Sequence, residues 1–196
     1  FETGRLPLPL ASGTPRPEAV PFQWSLHVQE SPSAVMAHYE CLAIQARDPR
    51  EEILSRLLPA LGERGPIVVY NASFENSCLE ELARAKPERA GELAAARARL
   101  WDLLAFVQRH VYHPEFAGSF SLKNVLPALV PGLSYQGMEI GNGRAASRAY
   151  DDLMRGILGT QERARVVAAL LAYCRQDTLA MVRLVSVIEQ ACAGAE

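Results

Sequence analysis

Three carboxylates raise the chemical question in this sequence: Glu2 at its very start, Glu75 just past a short apolar run, and Asp177 inside a long helical stretch. Carboxylates gathered from distant parts of a chain are the oxygen ligands that hard divalent cations such as Mg²⁺ and Mn²⁺ prefer. Two such ions offset the charge that builds up when a phosphodiester is cleaved. Tyr173 stands four residues before Asp177, and on a helix that spacing puts phenol and carboxylate on one face. Taken singly, these residues have plainer readings. Glu75 at a helix start complements the helix dipole. Asp177 needs a partner in its apolar setting, and an arginine would serve as well as a metal. Tyr173 reads equally as an aromatic at the edge of a core, and Glu2 alone says little.

Other polar residues sit near these positions. Asn71 is placed to fix a turn, and Phe74 either packs in the core, the favoured reading, or wedges against a terminal base. Lys123, Arg144, Arg148 and Arg175 either contact phosphates or are solvated surface. His110 and His113 have no third ligand nearby and make no zinc site. Gly141-Asn142-Gly143 lacks the rest of a phosphate-cradling fingerprint and follows no credible strand. Ser119 and Ser121 have no matching His and Asp for nucleophilic catalysis.

The elements that must position these groups follow from hydrophobic spacing. Gly4 to Pro21 is rich in Pro and Gly and reads as one long loop. Phe22 to Val28 alternates apolar and polar residues, the pattern of a half-buried strand, and His38 to Ile44 suggests a second. Asp48 as cap, Pro49 at the first position and Glu51 in a capping box predict a helix to about Leu61. Ile67 to Tyr70 reads as a buried central strand. A helical composition from Glu75 to Arg99 is broken near Lys86-Pro87, and Leu100-Trp101 reads as a brief strand before a helix capped by Asp102. Leu122 to Leu129, Tyr150 to Leu158 and Glu162 to about Ala191 complete the helices. Strands at the front with helices between and after them predict an α/β domain.

Three segments in order resemble the motifs of the DEDD (DnaQ-like) 3'-5' exonucleases, tyrosine subclass: Phe1-Glu2-Thr3, Tyr70-Asn71-Ala72-Ser73-Phe74-Glu75 and Tyr173-Cys174-Arg175-Gln176-Asp177. In that superfamily the motifs are D-x-E, N-x-x-F-D or close to it, and Y-x-x-x-D; ribonuclease D and polymerase proofreading domains belong there. Ser121-Leu122-Lys123 resembles its S-L-K segment. Over its whole length the chain resembles more closely a bacterial family of unknown function that pairs D-F-E-T, Y-N-x-x-F-E and Y-C-x-x-D-T.

The resemblance implies a ribonuclease H-like fold, with a mixed sheet flanked by helices. It implies two-metal hydrolysis, with Mg²⁺ or Mn²⁺, at the 3' end of single-stranded DNA or RNA. Glu2 and Asp177 would help hold the ion that activates water, and Glu75 would support the ion at the leaving oxygen. Tyr173, protonated because a phenol titrates near about 10, would orient the water. Asn71, Phe74, Lys123 and Arg175 would meet the substrate. Two departures accompany the likeness: the aspartate of D-x-E would fall immediately before Phe1, and Glu75 stands where most relatives carry Asp. They leave open an inactive nucleic-acid-binding or partner-docking domain of the same fold. A hydrolase of small nucleotide-like phosphodiesters is a third reading.

Composition bounds these readings. The 196 residues fit a single domain, which at this size buries roughly 70% of its unfolded surface. With 49% hydrophobic and 21% charged residues the chain is not a disordered one. No run approaches the roughly 18 apolar residues of a spanning helix, so neither a membrane protein nor a secretory leader is expected. A net charge of -2 argues against a broad basic surface, which makes any nucleic-acid contact local. Cys41, Cys78, Cys174 and Cys192 form no C-x-x-C pair, which points to a reducing cytoplasm rather than disulfides or structural zinc. Phe1 in place of an initiator Met reads as trimming or excision from a longer protein, with further residues expected upstream.

Overall fold

The computed structural model describes residues 1–4, 19–31, 34–45 and 47–194. Most of the loop expected between Gly4 and Pro21 lies outside the described residues, and its two ends are strand. Glu2–Gly4 (β1) pairs antiparallel with Val20–Val28 (β2), which pairs antiparallel with Ala37–Leu42 (β3). Pro21 thus lies in the middle strand of three. It sits beside a register shift between Glu2 and Thr3, where the ladder is already irregular and a missing N–H costs least.

Pro49–Leu61 forms α1, with the Asp48 carboxylate accepting from Arg50 N at 3.0 Å. Glu51 turns instead to Lys86 Nζ, at 2.5 Å. Ile67–Val69 (β4) is followed by Ala72–Ala85 (α2) and Ala90–Arg97 (α3), the predicted break falling at Pro87–Arg89. Leu100–Asp102 (β5) runs parallel to β4 and leads into Leu103–His110 (α4). Among the described residues β4 pairs with β5 alone, so it is one of two strands rather than the middle of a larger sheet. Leu122–Leu129 (α5), Gly143–Met154 (α6) and Thr160–Ala193 (α7) follow. The sixth helix starts seven residues earlier than its apolar spacing suggests, because the Asn142 side chain caps it by accepting from Ala145 N at 2.9 Å.

The architecture is mixed α/β. Trp24 belongs to an apolar cluster with Ile53, Leu54 and Leu57 of α1 and with Leu79 and Leu82 of α2. Phe22, two residues earlier on the same face of β2, stacks on Tyr150 of α6 and belongs to a second cluster with Leu153. The β2 strand is therefore not half-buried as its alternation suggests. Its polar residues face α7 and are satisfied there: Gln23, fully buried, donates from Nε2 to the Leu170 carbonyl at 2.8 Å. A third cluster joins α4, α5 and the end of α7 through Leu103, Val107, Val125, Leu126 and Leu184. Among the described residues no helix is long and apolar enough to cross a membrane.

Asp102 ties the parallel strands to two helix starts. Its Oδ1 accepts from Leu104 N and Ala105 N at 3.0 and 3.3 Å, capping α4. It also accepts from Asn71 N at 3.2 Å, while Oδ2 accepts from Ala72 N at 2.9 Å. One carboxylate thus satisfies orphan N–H groups of both α4 and α2. Asp102→Ala is expected to lower stability by about 2 kcal/mol, the loss of two caps at once, in urea denaturation. A loss within about 0.5 kcal/mol would show that neither helix start depends on it.

Candidate functional site

The carboxylates singled out in the sequence arrive from three elements. Glu2 lies on β1 opposite Gln23 and is 8% exposed. Glu75 lies in the first turn of α2, which Asn71 enters with the left-handed φ of 82° that asparagine tolerates. Asp177 lies on α7 one turn after Tyr173, and the two share one helical face, where the Tyr173 hydroxyl acts on the Asp177 carboxylate. A second hydroxyl, that of Tyr135, donates to Asp177 Oδ1 at 2.6 Å.

The backbone nitrogen of Phe1 stands 3.2 and 3.3 Å from the two carboxylate oxygens of Glu75. Glu2 is pushed up to about 7 by burial, with Asp177 and Glu75 adding to the shift against the pull of Lys123. Burial likewise raises Asp177, against the Tyr135 hydrogen bond and the pull of the Tyr173 hydroxyl. The Tyr173 phenol is driven far above its usual range by burial and by Asp177 and Glu2, so it stays protonated.

The remaining sequence-predicted residues divide. Lys123 is exposed, yet its charge acts on Glu2 and Asp177, and its Nζ stands 5.8 Å from the centre of the Tyr135 ring. Asn71 uses its side chain locally, accepting from Ser73 Oγ at 2.5 Å. Phe74 does not pack in the core: it is 39% exposed in the first turn of α2, while the buried side of that helix is Cys78, Leu79 and Leu82. Arg175 is exposed and stands apart from the acids. It borders a groove of about 700 Å³ with Glu40, Ser134 and Gln176, and its charge acts on His27 and His38. Tyr135 was not singled out in the sequence, since a tyrosine in a loop 42 residues from Asp177 has no spacing signal to mark it.

A chain of hydroxyls fixes α7 on the sheet beside Asp177. Thr178 Oγ1 donates to the Arg175 carbonyl at 3.1 Å, which uses its only proton. Ser25 Oγ and His27 Nδ1, each 2.9 Å from Thr178 Oγ1, must then donate to it. His38 Nε2 donates in turn to Ser25 Oγ at 2.9 Å. This directed network selects one neutral tautomer for each histidine, and burial holds His27 at about 4.

Residues 1–121 match the family described as Domain of unknown function (DUF2779). The chain belongs to that family. The match takes in Glu2, Asn71, Phe74 and Glu75, whereas Tyr135, Tyr173 and Asp177 of this DUF2779 chain lie beyond the matched residues. Over 132 residues the chain is 28% identical to the uncharacterized protein UU173 of Ureaplasma parvum serovar 3, an overlap covering 59% of this chain and 19% of that protein. The DUF2779 chain therefore spans about a fifth of that relative's length. No solved structure matches it.

For a divalent cation, the donors are right in kind, all carboxylate oxygens, and the raised Glu2 and Asp177 mark a local shortage of positive charge. Among the described residues, however, no group of three or more His, Cys, Asp or Glu side chains stands where it could hold a metal ion. The set is short of a converged ligand.

These environments set a pH dependence. Glu2 moves from an ordinary 4.5 to about 7, so the folded chain keeps a proton that the unfolded chain releases. Its contribution to stability is fullest below pH 4.5 and is lost as pH rises through 7. His27 works the other way, its contribution being present above 6.5 and lost as pH falls through 4. Comparing the parent with Glu2→Gln cancels the histidine. Relative to the parent, that variant is expected to gain on the order of 2–3 kcal/mol across the Glu2 window in urea denaturation, and a flat difference would mean that Glu2 titrates normally.

Proposed function

We propose that this chain is a metal-dependent 3'-5' exonuclease domain of ribonuclease H-like type, acting on single-stranded DNA or RNA ends. The observation that carries this reading is that Glu2, Glu75 and Asp177, brought from three elements, lie near enough for the charges of Glu75 and Asp177 to act on the buried Glu2. Desolvated acids crowded together are costly unless a cation repays them. An antiparallel sheet and a parallel pair, with α1 and α6 against the Phe22 and Trp24 face of β2 and α7 against the Gln23 and Ser25 face, also support it.

Mg²⁺ or Mn²⁺, when bound, would supply charge for activating water and stabilising the leaving oxygen. Glu2, Glu75 and Asp177 are the ligands this reading needs, and an aspartate placed ahead of Phe1 would complete a set that is short of one. Tyr135 fixes one oxygen of Asp177. Tyr173, its proton directed at Asp177, would orient a water by accepting from it through the phenol oxygen, and being held protonated it would not take the water's proton. Lys123 brings positive charge to the open side, where a phosphate would approach, and Phe74 offers an exposed ring beside Glu75. The lack of a converged metal-holding group favours a second reading, an inactive nucleic-acid-binding domain of the same fold.

The test is a chain carrying aspartate ahead of Phe1, incubated with 5'-labelled single-stranded DNA and RNA and Mn²⁺ or Mg²⁺. A ladder shortening from the 3' end is expected, with Asp177→Asn slowing it at least about 10³-fold and Tyr173→Phe about 10- to 100-fold. Binding of the strands without shortening, in a folded protein, would decide for the inactive domain.

A further inference from the structure

The strand that carries Glu2 is seated by two glycines whose neighbours leave little room for a side chain. A Cβ on Gly4 would stand 3.2 Å from Phe22 Cδ1 and 3.3 Å from Tyr150 Cδ1. Those two rings stack at 3.8 Å between centroids, tying β2 to α6. A Cβ on Gly143, the first residue of α6, would stand 3.2 Å from Glu2 Oε2. Gly141, two residues earlier in the same Gly-Asn-Gly run, has nothing within 4 Å of such an atom. The second glycine alone touches the acid cluster.

Neither wall of this contact moves freely. The first turn of α6 is fixed by the Asn142 cap, and the helix is anchored by fully buried Ala146 and nearly buried Tyr150 and Leu153. Glu2 is held on the other side by β1 pairing and by the charge of Lys123. The N-terminal end of α6 also favours a negative charge placed against it.

We propose that Gly143 is a positioning residue for Glu2: the first turn of α6, bare of side chain at this point, is a slot that fixes where the Glu2 carboxylate points. The slot matters for chemistry only if the exonuclease reading holds, but its existence does not depend on that reading. A methyl group at 143 forces the carboxylate aside by a few tenths of an ångström, and displaced supports of metal ligands typically cost 10- to 100-fold in affinity.

A thermal double-mutant cycle on the unextended chain tests the slot without metal. Alanine is the better helix former, so Gly143→Ala would raise Tm if Glu2 were not in the way. It is expected to lower Tm by roughly 2–4 °C beside Glu2, but to leave Tm unchanged or raise it in the Glu2→Asp background, whose acid is one methylene shorter. A single variant that fails to fold while the double variant folds carries the same meaning. Gly141→Ala should shift Tm equally in both backgrounds. Equal shifts for Gly143→Ala in both backgrounds, or loss of folding in both, would overturn the proposal. In the aspartate-extended chain, Gly143→Ala should weaken Mn²⁺ binding by calorimetry at least about tenfold while Gly141→Ala does not; unchanged affinity would also overturn it. If the parent extended chain binds no Mn²⁺, the exonuclease reading fails, and the thermal cycle still decides whether the slot exists.

Discussion

Negative charge gathered out of water is the constraint on which the rest of this structure depends. Glu2 and Asp177 are buried enough that each resists ionisation, and Glu75 joins them from a third element. Such a group persists only if compensation is built around it. Here compensation comes in several forms: the charge of Lys123, the hydroxyls of Tyr135 and Tyr173 at Asp177 and the N-terminal end of α6 behind Glu2. None of these restores the solvation lost, which is why Glu2 stays raised to about 7. A site in this condition is ready to take up further positive charge.

The fold holds these groups in place with polar ties rather than apolar packing alone. Asp102 fixes the starts of α2 and α4 together, so the turn that delivers Glu75 is set by the end of the neighbouring parallel strand. Gln23 and the Ser25, His27, His38 and Thr178 network bind α7 to β2 and β3. Hydrogen bonds are directional, so these ties fix the rotation of α7 as well as its distance from the sheet. That rotation decides where Tyr173 and Asp177 point.

Much of the secondary structure was legible in the sequence, because each element's cause is local. The Asp48 cap, the break at Pro87, the Asp102 cap and the apolar spacing of α7 all act within a few residues. Where local signals misled, a distant partner was responsible. The alternation of β2 suggested an open polar face, and α7 covers it by bonding the polar groups. Phe74 looked like a core residue by type, yet the side of α2 that packs runs through Cys78, Leu79 and Leu82.

By itself the sequence determined which residues could do chemistry, and it placed Tyr173 and Asp177 on one helical face, because i,i+4 spacing is a property of the helix alone. Only the tertiary structure decided that Tyr135 completes the hold on Asp177, that Gly143 backs Glu2, that Lys123 joins the acids and that Arg175 does not. These are contacts between elements many residues apart, set by how α6 and α7 pack against β1 and β2 and how α5 packs on α7. No spacing along the chain encodes them, because the energy that fixes them comes from burial and charge shared across the whole core.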